Sequence, residues 1–80
     1  MTDHDLRLIA WARKAAADGH ARQLRERAGW SQAELAAAID TTEASVSRWE
    51  SGDRRPRGDL GLAYARCLAE LAAVTGRRSA

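Results

Sequence analysis

Eighty residues, 45% apolar but only 5% aromatic and without Phe, suffice for one small domain and exclude a second catalytic lobe or a large substrate cavity. Alanine supplies 18 of the 80 positions, so the core must be small, and a dimer interface would help to stabilise such a chain. Net charge is only +2, yet 12 of the 13 basic residues are arginine, the side chain best suited to phosphates and base edges.

Ala, Arg and Leu dominate, there is one proline, and no segment alternates β-branched with polar residues; this pattern predicts an all-α fold. A first helix is expected from Asp3 to Ala17, capped by Thr2 or Asp3, with Leu8, Trp11, Ala12 and Ala15 on one face. Asp18-Gly19 ends it. A second helix starts at His20, turns Ala21, Leu24 and Ala28 inward and Arg22, Gln23, Glu26 and Arg27 outward, and stops at Gly29. Ser31-Gln32-Ala33-Glu34 then reads as a capping box directly before Leu35, Ala36 and Ile39.

That third helix stops near Asp40, and Thr41-Thr42 offers a new hydroxyl N-cap only a few residues later. Val46 and Trp49 give the next short helix its apolar stripe before Ser51-Gly52 closes it. Two short helices joined so tightly must cross steeply, with a small residue such as Ala36 between them; this is a helix-turn-helix. Asp53-Arg54-Arg55-Pro56-Arg57-Gly58 follows as a basic loop. A last helix is expected from Asp59 to Val74, with Leu60, Tyr64, Cys67, Leu68 and Leu71 inward. The expected organisation is a single domain over 1–75, a compact bundle of about five helices with an extra N-terminal helix over 1–18, the helix-turn-helix over 31–52 and a short last-helix tail, 76–80, that is flexible and basic.

The stretch from Leu24 to Ala36, which contains Ser31-Gln32-Ala33-Glu34-Leu35-Ala36, is followed by Val46-Ser47-Arg48-Trp49-Glu50-Ser51-Gly52 and Arg55-Pro56. Together they resemble the lambda-repressor/Cro-like helix-turn-helix family, also called the xenobiotic response element family, over residues 20 to 71 or so. The pattern is also similar to a compact branch of phage regulators and antitoxins. This chain has Asp40 where the family usually has Gly or Asn in the turn, and an N-terminal helix in place of the family's fifth.

The resemblance implies that the helix beginning near Thr42 enters the DNA major groove, which makes Thr42, Glu43, Ala44, Ser47 and Arg48 the base-reading residues. Each has chemistry available: Arg48 can donate in bidentate fashion to guanine, Glu43 can accept from cytosine N4, and Ala44 or the Thr42 methyl can pack on a thymine methyl. Glu43 could equally serve only the helix dipole, and Arg48 could simply be solvated. Gln32, at a helix N-terminus, and Arg54, Arg55 and Arg57, in the loop, are the expected phosphate-binding residues. The resemblance also pairs Arg25 with Glu50 in a structural ion pair.

Trp11, Trp30 and Trp49 read as core rather than as base-stacking platforms, and Cys67 as a small core hydrophobe. No enzyme is assembled: His4 and His20 lack a nucleophile, and no Gly-rich loop follows a strand. A lone cysteine forms no internal disulfide, and no zinc-ligand spacing is present, so neither metal nor cofactor is expected. No apolar run approaches the roughly 18 residues of a membrane span, and Asp3 and Asp5 stand where a secretory leader would be basic, so the expected location is cytoplasmic, on the nucleoid when DNA is bound. The expected function is a small homodimeric transcriptional regulator on an inverted-repeat operator of double-stranded DNA, in phage or prophage control. The alternative is an antitoxin-type or anti-repressor module that binds a partner protein, with or without autoregulatory DNA binding.

Overall fold

The structure, a computed structural model, describes the backbone of residues 1–79 and the side chains of residues 1–74. Five helices follow one another: α1 (Asp3–Asp18), α2 (His20–Arg27), α3 (Gln32–Ala38), α4 (Glu43–Ser51) and α5 (Gly58–Ser79). Among the described residues there is no strand. Local chemistry explains most of the boundaries. Thr2 and Ser31 each accept from the amide three residues on, and Asp5 and Glu34 reach back to the amides of Thr2 and Ser31, so α1 and α3 both start on a complete capping box. These bonds hold the Asp5 and Glu34 carboxyls below the usual carboxylate range.

The turn between α3 and α4 closes on Asp40, which takes the left-handed conformation at φ 59°. The Thr41 amide donates to Ala36 O at 2.9 Å and the Asp40 amide to Ala37 O at 3.3 Å, the paired bonds of a Schellman ending. Thr42 then caps α4 by accepting from the Ser45 amide at 3.1 Å. The helix-turn-helix is thus built from one left-handed residue and two hydroxyl caps.

The core is made by small residues between large ones. Ala12, Ala15 and Ala16 of α1, Ala21 and Leu24 of α2, Leu35 and Ala36 of α3, Val46 and Trp49 of α4, and Tyr64, Ala65, Leu68 and Leu71 of α5 form one buried cluster. The Trp49 and Tyr64 rings lie 4.6 Å apart at a 42° tilt. Alanine at the crossings lets the backbones approach, so a chain with few aromatics still fills its interior. Helix α1 packs on α5, α2 and α4 and is part of the same core.

Several assignments change with tertiary packing. Ile9 is the fully buried aliphatic of α1, whereas Leu8 and Trp11 are half-buried at its margin. In α2 the third inward residue is Arg25, while Ala28 is only half-buried. Leu60 and Cys67 are half-buried as well, and burial pushes the Cys67 thiol pKa up, against thiolate chemistry. Periodicity alone ends the last helix at Val74 and leaves 76–80 as a flexible tail, but the backbone stays helical through Ser79. Gly76 costs a propagating helix only about 1 kcal/mol, and no proline intervenes. The side chains of that tail, and Ala80 altogether, lie outside the described residues.

Candidate nucleic-acid interface

Two faces of α4 have opposite characters. Val46 and Trp49 are buried, and Thr42, Glu43, Ala44, Ser47 and Arg48 are all exposed. The separation follows from helical spacing: residues three apart share the inner face, and those between them point out. The Thr42 hydroxyl is committed to the cap, so its methyl is the part left to a ligand.

The angle of α4 is fixed from behind by a buried polar cluster. Arg25 of α2 forks onto Glu50, with Nε donating to Oε2 at 2.7 Å and Nη2 to Oε1 at 2.9 Å. Its Nη1 donates to Trp30 O at 2.8 Å, and Gln32 Nε2 adds a bond to Glu50 Oε1 at 3.0 Å. The two charged side chains are only 8% and 5% exposed. Burial alone would raise the Glu50 pKa, but the bonds from Arg25 and Gln32 and the charge of Arg25 outweigh it, and the carboxyl sits below its ordinary range. The cluster joins α2, the start of α3 and the end of α4. Gln32 is therefore half-buried and turned to Glu50, not an open side chain at a helix N-terminus. A ligand would compete with Glu50 for its amide.

Beyond Gly52 the chain enters the basic loop. Gly52 is left-handed at φ 81°, and the amides of Asp53 and Arg54 both donate to Arg48 O, at 2.9 and 3.2 Å. The loop thus starts against the last turn of α4. It is then pinned at Pro56, whose ring is fully buried. Arg13 of α1 donates from Nε to Pro56 O at 2.7 Å. From the other side, Gly61 of α5 lies so close that a Cβ there would stand 2.9 Å from the Pro56 carbonyl carbon.

This arrangement brings arginines from three parts of the chain to one open groove, lined by Arg13, Arg48, Arg54, Arg55 and Arg57 with Ser45, Trp49 and Leu60. Among the described residues no carboxylate lines it. None of its arginines forms a salt bridge among the described residues, whose charged pairs are Arg7–Asp3, Arg22–Glu26, Arg25–Glu50 and Arg66–Asp5. Thr42, Glu43, Ala44 and Ser47 are not part of the groove wall; Arg48 belongs both to the exposed face of α4 and to the groove. The sequence by itself does not distinguish Arg13 or Ser45 as groove residues, or Gly61 as the residue against Pro56. Arg13 is one arginine of twelve on an ordinary amphipathic helix, and only the tertiary contact distinguishes it. For Gly61 the one sequence signal of close approach is weak: a glycine in the first turn of an otherwise alanine-rich helix.

A five-helix bundle carrying a tight helix-turn-helix, with the exposed second helix of that motif beside a cationic groove, defines a helix-turn-helix DNA-binding protein. Residues 22–76 match the helix-turn-helix family model, more than half of the chain, and the chain belongs to that lambda-repressor/Cro-like family of DNA-binding transcription regulators. Helix α1 precedes the matched residues. No curated protein and no solved structure matches the chain. Among the described residues no helix is long and apolar enough to cross a membrane, and no cluster of His, Cys, Asp and Glu could hold a metal ion.

Proposed function

We propose that the chain recognises a specific operator in double-stranded DNA, with α4 in the major groove and the basic groove on the flanking phosphates. The observation that carries this reading is the groove itself: five arginines and no carboxylate, opening beside the exposed face of α4. Guanidinium groups held together without counter-charges repel one another and gain most from a polyanion that spans them. Arg54, Arg55 and Arg57 serve as phosphate contacts. Arg48 and Ser47, with Glu43, Ala44 and the Thr42 methyl, read bases. Gln32 contributes to phosphate binding chiefly by holding Glu50 and the start of α3 in place.

One helix-turn-helix covers a half-site, so the functional unit is a homodimer on an inverted repeat, its recognition helices about 34 Å apart. Leu6 of α1 and Val74 of α5, 57% and 51% exposed, are apolar side chains available to a second copy. Residues 1–75 act as one domain, in the cytoplasm and on the nucleoid, with phage or prophage control as the setting.

Selection of bound fragments from random-sequence duplex, followed by titration of the winners, tests the reading. A palindromic consensus should emerge. Arg48→Ala should lose about 1–3 kcal/mol on that consensus and relax preference at one or two base pairs. Glu43→Gln should alter base preference if Glu43 reads cytosine, and should raise affinity on every sequence alike if it only repels phosphates. Failure of the wild-type protein to retain any duplex at low salt would refute the proposal, and would leave the protein-partner alternative standing.

A further inference from the structure

Helix α1 lies outside the family-matched residues, yet it supplies one wall of the basic groove. Arg13 lines that groove, and a second depression continues from it along α1 past Ala10, Lys14 and Ala17, with Gly52, Arg54 and Arg55 opposite. We propose that α1 carries a phosphate-binding site of its own, in which Arg13, assisted by Lys14, holds the DNA backbone together with Arg54 and Arg55. The inference rests on the DNA-binding reading above and extends the contact surface beyond the helix-turn-helix.

Three features of the site support it. The Arg13 Nε is tied to Pro56 O, which anchors the guanidinium at one edge, while its two Nη nitrogens have no protein partner among the described residues. A fork held in this way loses little side-chain freedom when it takes a phosphate, and it presents two parallel donors to two oxygens. Next, Arg13 has no carboxylate neighbour in either depression, whose lining contains only cationic, small and apolar side chains apart from Ser45. An arginine serving only as a strut for the loop would gain from a counter-charge, and none is provided. Finally, the second depression is lined along α1 by Ala10, Ala16 and Ala17 and across from it by Gly52, residues short enough to let a sugar-phosphate strand lie close to Lys14.

The experiment is the salt dependence of binding to a random-sequence duplex, measured for the full chain and for Arg13→Gln, Lys14→Gln and Arg7→Gln, with a thermal melt of each. Arg7 is on the same helix, is exposed and pairs with Asp3, so its variant controls for loss of one positive charge. Arg13→Gln should lower the slope of log K against log salt by about 0.9, the contribution of one neutralised phosphate, and Arg7→Gln should not. Lys14→Gln should give part of the same loss. If Arg13→Gln keeps the wild-type slope, or if Arg7→Gln lowers it equally, the α1 site does not exist and Arg13 is only a strut. Should Arg13→Gln fail to fold, Lys14→Gln decides alone, because Lys14 is exposed and its loss cannot unfold the core; an unchanged slope overturns the proposal. A wild-type protein that binds no duplex overturns the DNA-binding reading as well, an outcome visible before any variant is compared.

Discussion

Arginine has two opposite fates in this small protein, and the contrast separates what holds the fold from what the fold is for. Arg25 is buried, forked onto Glu50, bonded to Trp30 O and backed by Gln32; its donors face inward and are satisfied. Arg13, Arg48, Arg54, Arg55 and Arg57 share an open groove without a carboxylate. A charge removed from water must be paired, or it destabilises the protein by several kcal/mol. A charge left in water costs little by itself, so a cluster of unpaired ones is free to be kept for a ligand. The same side chain is therefore structural where α2 meets α4 and left open to a ligand where α4 meets the loop.

The largest expected effect tests the buried side of this contrast. Arg25→Ala strands the Glu50 carboxylate and should destabilise the fold by about 3–5 kcal/mol, whereas the double replacement Arg25→Met with Glu50→Leu should recover much of the loss. A chemical-denaturation cycle that found the single changes additive would show that the pair does not interact. The pair also contributes to the acid limb of stability, alongside the capping carboxylates Asp5 and Glu34. Because the folded Glu50 carboxyl ionises below its ordinary value of 4.5, the stabilisation is fully present above that pH and is lost as pH falls through the folded value. Glu50→Gln should flatten this part of the stability profile, and an unchanged acid limb would count against the assignment.

Gly61→Ala probes the junction between the two regions. Alanine should improve helix propensity by up to about 1 kcal/mol, but its Cβ would meet the Pro56 backbone, 2.9 Å away, and backbone cannot rotate aside. The net result should be a loss of about 1–3 kcal/mol together with weaker DNA binding, as the loop carrying Arg55 and Arg57 is displaced. A variant as stable as the wild type would mean that the loop gives way without cost.

Arg55→Ala sharpens the comparison from the open side. Stability should stay within about 0.5 kcal/mol, while the salt slope of DNA binding falls by about 0.9. Loss of stability comparable to that of Arg25→Ala would erase the distinction between the two arginine sets. The smallest effect is expected at Tyr64, whose ring is buried against Trp49 but whose hydroxyl has no hydrogen-bond partner among the described residues. Burial pushes its pKa well up, so the phenol stays neutral. Tyr64→Phe removes an unsatisfied polar atom and should be neutral or stabilising by up to about 1 kcal/mol in a thermal melt; a clear loss would reveal a partner for the hydroxyl.

Local chemistry determined the helices, because caps and turns act over three or four residues. Ser31 with Glu34, Thr42 before Ser45, Asp40 and Gly52 mark their boundaries in the sequence as plainly as in the fold. Periodicity likewise separated Val46 and Trp49 from the exposed residues of α4. Contacts between residues distant in the chain were decided by tertiary structure. Arg13 and Pro56 are 43 positions apart, and nothing in either neighbourhood signals the other. Gln32 looks free until α4 brings Glu50 beside it, and Ile9 outranks Leu8 and Trp11 only once the other helices pack on α1. Helix formation is encoded in near neighbours, whereas the groove depends on which surfaces the packed helices leave uncovered, and that is settled by the burial of the whole chain at once.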